Sequence, residues 1–152
     1  MRLFSLIAAA ALCASVAAPV QAAGDARYSV VEENSIPKSL TGKPGDPQRG
    51  FRVVIGRTKG NCLACHQMPI PSQLFHGEVG PTLVGVADRY NEGELRLRVV
   101  DPKVLNPESI MPSFYKVSGF NRPMKKFAGK SVLTAQEIED VIAYLKTLKE
   151  PN

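Results

Sequence analysis

The sequence predicts a small all-α domain in which a few short helices are joined by long loops. Apolar residues recur at three- and four-residue steps behind capping residues, and no stretch alternates as a strand would. The 152 residues also include 12 Gly and 12 Pro, which interrupt regular structure. Such helices bury little apolar surface by themselves, so we expect a bound apolar group to complete the core.

The chain begins with the pattern of a secretory signal peptide. Arg2 gives a positive start, residues 6–18 are apolar, and Val20-Gln21-Ala22 is a typical cleavage site. The apolar run is too short to favour a membrane span. Cys13 lacks the small residue directly before it that a lipoprotein anchor needs. We therefore expect residues 1–22 to be removed and the protein to reach the periplasm.

Residues 23–45 predict an irregular N-terminal extension, either a loose tail or an arm that packs on a partner. The domain proper spans residues 46–150. Asp46-Pro47 begins its first helix, because Asp can cap free amides and Pro suits the first helical turn. Phe51 and Ile55 belong to its apolar stripe. Residues 56–60 interrupt the helical pattern, and residues 67–86 are rich in Gly and Pro, so we expect them to be mostly loop.

Two capping boxes mark the later helices. Asn91 with Glu94 begins a short helix that stops before Asp101-Pro102. An irregular, basic segment follows at residues 114–130. Thr134 with Glu137 begins the clearest helix, whose apolar positions are Ile138, Val141, Ile142, Leu145 and Leu148, with Pro151 after its end.

Charge and cysteine content argue against a nucleic-acid-binding protein and against a disulfide-rich protein. The net charge of +5 is modest, and the basic residues are mixed with acids, which disfavours a nucleic-acid partner. Of three cysteines, Cys13 lies in the leader, so only Cys62 and Cys65 remain. A disulfide framework is therefore not expected.

Residues 62–66 read Cys-Leu-Ala-Cys-His, the signature of covalent haem attachment. Each thiol can add to one vinyl group of the porphyrin, and the His can bind the iron beneath the ring. A zinc site built from these residues and His76 does not match the usual ligand spacings. A redox dithiol would favour strands alternating with helices. We therefore expect one haem c, with Cys62 and Cys65 as thioethers and His66 as the proximal ligand.

The second axial ligand has four candidates: Met68, His76, Met111 and Met124. Met68 lies too close to His66 to reach the opposite face of the ring, and His76 lies in the same proximal loop. Met124 stands in a charged stretch. Met111 lies in residues 106–114, where prolines stiffen the loop and Ile110 and Phe114 can seal the haem edge. Met111 is therefore the predicted ligand.

A His–Met pair fills both axial positions and raises the reduction potential relative to two imidazoles. No position then stays open for oxygen or a substrate, which indicates electron transfer. A haem enzyme with an open iron, such as a peroxidase, requires that Met111 does not bind.

Residues 46–150 resemble a class I cytochrome c. The resemblance rests on the CxxCH motif, the Met-Pro loop, the terminal helix and Gly80-Pro81-Thr82-Leu83. It implies that the Pro81 carbonyl accepts the imidazole N–H of His66. It also implies that the first and last helices cross at Gly50-Phe51 and Tyr144.

The chain more narrowly resembles the SoxX family, the mono-haem subunits of SoxAX cytochromes. Four segments carry this resemblance: residues 59–66, 99–102, 106–115 and 129–141. It implies a periplasmic heterodimer with SoxA, acting as an L-cysteine S-thiosulfotransferase that couples thiosulfate to a cysteine of the SoxYZ carrier. This chain would have no catalytic residue and would pass electrons to a small acceptor cytochrome. The alternative is a free-standing periplasmic electron carrier.

Overall fold

The structure is a computed structural model that describes residues 28–151. The predicted signal peptide and the start of the extension lie outside the described residues. Within these residues, four α-helices span Pro47–Ile55 (α1), Val86–Arg89 (α2), Glu92–Val100 (α3) and Ala135–Leu145 (α4). Short 3₁₀ turns span Cys62–Ala64, Pro102–Val104 and Lys125–Phe127. Among the described residues, β pairing is confined to an isolated bridge between Val31 and Ser35, so the all-α prediction is confirmed.

The predicted helix starts are all present. The Asp46 carboxylate accepts hydrogen bonds from the amides of Gln48 and Arg49. These bonds, with that of Arg49 contributing most, hold the pKa of Asp46 below its ordinary value. Complete capping boxes begin α3 at Asn91 and α4 at Thr134.

The last helix is shorter than its apolar pattern suggested. It ends at Leu145, and the chain tightens into a turn in which the amide of Leu148 bonds the Leu145 carbonyl at 3.0 Å. Leu148 nevertheless stays buried. The apolar pattern therefore correctly predicted that Leu148 is buried, but it placed Leu148 in the helix, which ends three residues earlier. The single-turn helix α2 was not predicted at all, because four residues are too few to show a period.

Helices α1 and α4 cross at Gly50. A Cβ at this position would lie 1.9 Å from the backbone carbonyl oxygen of Asp140, so only Gly allows this approach. Beside the crossing, the rings of Phe51 and Tyr144 meet edge to face with centroids 5.6 Å apart. The crossing lies where the cytochrome c resemblance places it.

The hydrophobic core lies between α1, α3 and α4 and extends into the loops after the CxxCH motif. Its most deeply buried residues are Ile36, Val54, Leu97, Val100, Leu133, Ile138, Val141 and Ile142. Within residues 28–151, no helix is both long and apolar enough to cross a membrane.

The described part of the N-terminal extension packs on the domain itself, which neither predicted alternative anticipated. Ile36 is buried, and its amide donates to the Gly93 carbonyl at 3.0 Å. The Leu40 amide donates to the Glu139 carboxylate at 2.8 Å. Arg96 joins these parts: its guanidinium bonds the Ile36 carbonyl at 2.7 Å and Glu139 at 2.9 Å. The extension is therefore held by α3 and α4.

Candidate haem site

The CxxCH motif forms a tight turn in the loop that follows α1. The amide of His66 donates to the Cys62 carbonyl at 2.9 Å, which places both thiols and the imidazole on one turn. Leu63 is buried and fixes this turn to the core. Asn61 enters the turn with a positive φ of 48°, a conformation that Asn tolerates better than most residues.

Cys62 and Cys65 form no disulfide, and both are half-buried. Burial raises the pKa of the Cys62 thiol to about 11. In the described part of the chain, no group of three or more His, Cys, Asp or Glu side chains is arranged to hold a metal ion. The zinc alternative therefore gains no support.

The structure leaves one nitrogen of the His66 imidazole available as a ligand. Its Nδ1 lies 2.7 Å from the Pro81 carbonyl oxygen. Because a carbonyl can only accept, Nδ1 carries the proton and Nε2 keeps a lone pair for a metal. A Cβ at Gly80 would lie 2.4 Å from the imidazole Cε1, so the backbone approaches the ring where a side chain would displace it. This arrangement suits an axial haem ligand.

The loop after the motif wraps back over it. The Gly77 amide donates to the Leu63 carbonyl at 2.7 Å, and the Leu83 amide donates to Gln67 at 2.8 Å. Met68 is buried, and its amide donates to His76 Nδ1 at 3.1 Å. These contacts make Met68 a core residue and His76 a loop-holding residue.

The two remaining methionines lie in different environments. Met111 is half-buried and packs against the hydrophobic core. Met124 is 64 % exposed. Of the two residues expected to seal the haem edge, Phe114 is buried and Ile110 is 81 % exposed. Of these two methionines, Met111 is therefore the one that the fold holds in place.

Residues 109–136 carry positive charge alone. The segment contains no Asp or Glu, and its basic residues are Lys116, Arg122, Lys125, Lys126 and Lys130. Lys116 lies 3.5 Å from the Asp101 carboxylate. Within residues 28–151, the other four form no ion pair. The surface next to the Met111 loop is thus basic.

The sequence model of the cytochrome c family matches residues 48–149, so the chain belongs to the cytochrome c family. A member of this family with an intact Cys62–Cys65 pair carries covalent haem c. The predicted class I fold and haem c are thereby confirmed.

Two relatives give a narrower comparison. The chain is similar to one in the crystal structure of SoxXA from P. pantotrophus, with 44 % identity and a TM-score of 0.74 over 80 % of this chain and 94 % of that one. This confirms the resemblance to SoxX-type cytochromes. The chain is also 33 % identical over 119 residues to an uncharacterized lipoprotein of Aquifex aeolicus. That match covers 75 % of this chain and 44 % of the relative, so the chain spans less than half of that protein's length.

Proposed function

We propose that this chain is the electron-relay haem subunit of a periplasmic SoxXA-type complex that oxidises thiosulfate. The relationship of 44 % identity across 80 % of the chain is the observation that carries this proposal. The proposed organisation is a signal peptide at residues 1–22, an extension at residues 23–45 and a cytochrome domain at residues 46–150.

Five residues would hold and support the haem. Cys62 and Cys65 would form the thioethers, His66 and Met111 the axial ligands, and Pro81 would support His66 through its carbonyl. A bound haem would accept and release one electron at its iron. The chain's own contribution is orientation: the bond at 2.7 Å from His66 Nδ1–H to the Pro81 carbonyl fixes the tautomer and makes Nε2 a better donor.

With these assignments, the sulfur chemistry would lie on another chain. With Cys62 and Cys65 bound to haem, the described residues offer no free thiol as a nucleophile or sulfur carrier. With His66 and Met111 both bound, the iron would have no open position. Bond formation between thiosulfate and the SoxYZ cysteine would then occur on SoxA. This chain would pass the released electrons to a small cytochrome.

Thiosulfate-dependent reduction of the haem tests this function. The holoprotein is mixed with thiosulfate alone, with a SoxA-type subunit, and with that subunit plus a SoxYZ-type carrier, and haem reduction is followed optically. We expect reduction only when the partner and the carrier are both present. A holoprotein that is recovered without a second haem subunit and stays oxidised in the complete mixture would instead be a free-standing carrier.

A further inference from the structure

We propose that Asp101 and Lys103 are positioning residues that hold the Met111 loop from both sides and determine how firmly Met111 stays on the iron. This inference rests on the proposed role of Met111 as axial ligand. It also gives a physical role to the Asp-Pro step after α3, which contributes to the SoxX resemblance but which the proposed function does not use.

The Met111 loop returns to the helix end from which it starts. It leaves the turn Pro102–Val104, and its far end is bonded to the last residues of α3. The Phe114 amide donates to the Val99 carbonyl at 3.2 Å, and the Tyr115 amide donates to Val100 at 3.3 Å. The loop is therefore closed at its base.

Asp101 holds the loop on the C-terminal side of Met111. The Ser113 hydroxyl donates to the Asp101 carboxylate at 2.6 Å, and the two residues are 2 % and 5 % exposed. A hydrogen bond to a buried carboxylate is among the stronger ones in proteins. Lys116, 3.5 Å from the same carboxylate, partly balances its charge.

Lys103 holds the loop on the N-terminal side. Its ammonium donates to the Ser109 carbonyl, and the Ser109 hydroxyl accepts the Met111 amide at 3.3 Å. Ser109 and Ser113 thus lie two residues before and two residues after Met111, and the Pro102–Val104 turn together with its capping residue Asp101 binds both. Since Lys103 is exposed, this contact contributes less than the buried one.

The arrangement matters because a thioether is a neutral, weak ligand that an external base can displace. Fixing the loop lowers the entropy that Met111 loses when it binds, and so favours the bound state. Loss of hydrogen bonds that orient metal ligands typically weakens metal binding about 10–100-fold, and we carry that range over to the loop that holds Met111. A released loop would therefore let external imidazole compete about 10–100-fold better.

Imidazole titration of the ferric holoprotein tests the proposal, with the apparent Kd as readout. Ser113→Ala and Asp101→Ala should each bind imidazole about 10–100-fold more tightly than the wild type. Asp101→Asn, which keeps an acceptor for Ser113, should recover most of the wild-type value. Ser113→Ala removes one hydroxyl and keeps the test valid if Asp101→Ala does not fold.

Asn91→Ala is the matched control, because Asn91 caps the other end of the same helix. It should lower stability by about 1 kcal/mol and leave the apparent Kd unchanged. An equal shift in this control, or wild-type affinity in both Ser113→Ala and Asp101→Ala, would overturn the positioning role. Met111→Ala separates the two proposals: if it binds imidazole no more tightly than the wild type, the ligand assignment itself has failed.

Discussion

The buried ion pair between Arg96 and Glu139 offers a direct test of how the extension is attached. The guanidinium and carboxylate lie 2.9 Å apart, with side chains 1 % and 3 % exposed. Glu139→Gln removes the charge and keeps the shape. Arg96 then retains Glu92, at 2.7 Å, as its anion, and that side chain is 47 % exposed.

The structure sets the expected size of the effect. Breaking a buried pair by removing one partner costs about 3–5 kcal/mol, and the remaining Glu92 places this case near the lower figure. The Leu40 amide also loses its charged acceptor, which adds to the cost. A loss of about 3 kcal/mol corresponds to a fall in Tm on the order of 10 °C for a domain of this size.

Urea unfolding of the ferric holoprotein, followed by circular dichroism, measures this loss as a shift in midpoint at constant slope. The control is Lys146→Ala, which removes an ion pair to Glu92 whose side chains are 52 % and 47 % exposed. That change should cost less than about 1 kcal/mol. If Glu139→Gln costs no more than Lys146→Ala, the pair does not anchor the extension as described.

Three further predictions concern the helix crossing, acid stability and the basic segment. Gly50→Ala should lower the stability of the domain by about 1–3 kcal/mol in thermal unfolding, because the added Cβ would lie 1.9 Å from a backbone oxygen. The cost of this clash outweighs the gain in helix propensity. A variant more stable than the wild type would contradict the close crossing of α1 and α4. Burial raises the pKa of Asp140, but hydrogen bonds led by that of Arg49 lower it below 3.8 overall. The stability that ionised Asp140 contributes is therefore present above pH 3.8 and is lost as the pH falls through the lowered pKa. Asp140→Asn should consequently lose less stability than the wild type on acidification below about pH 4. An unchanged dependence of stability on acid pH would refute this. The double variant Lys125→Glu/Lys126→Glu should be oxidised several-fold more slowly than the wild type by ferricyanide, an anion, at low salt. Its oxidation by a cationic oxidant should not be slowed. Equal slowing with both oxidants would rule out an electrostatic cause.

Local signals in the sequence predicted the local parts of the structure. The caps at Asp46, Asn91 and Thr134 depend on bonds to amides two or three residues away, so residue type and spacing suffice to find them. The same holds for the CxxCH turn. The placement of Pro81 against His66 spans 15 residues, and family resemblance rather than spacing supplied it.

Long-range polar pairs escaped prediction. Arg96 and Glu139 are 43 positions apart and each reads as an ordinary solvated helix charge, although both are buried. Asp101 was interpreted as a helix stop, and its bond to Ser113 across 12 positions gave no periodic signal. From sequence alone, a charged residue is expected to lie on the surface. Only the folded structure shows which charged residues form ion pairs in the interior.

Carbon monoxide binding to the ferrous holoprotein tests the central claim most directly, because this gas binds only where the iron has a free or easily freed position. A haem held between His66 and Met111 should not bind it at neutral pH. Met111→Ala should bind it readily, while Met124→Ala, altered at a methionine that is 64 % exposed, should behave as the wild type. Ready binding by the wild type, or by Met124→Ala and not by Met111→Ala, would contradict an iron that is closed for electron transfer by Met111.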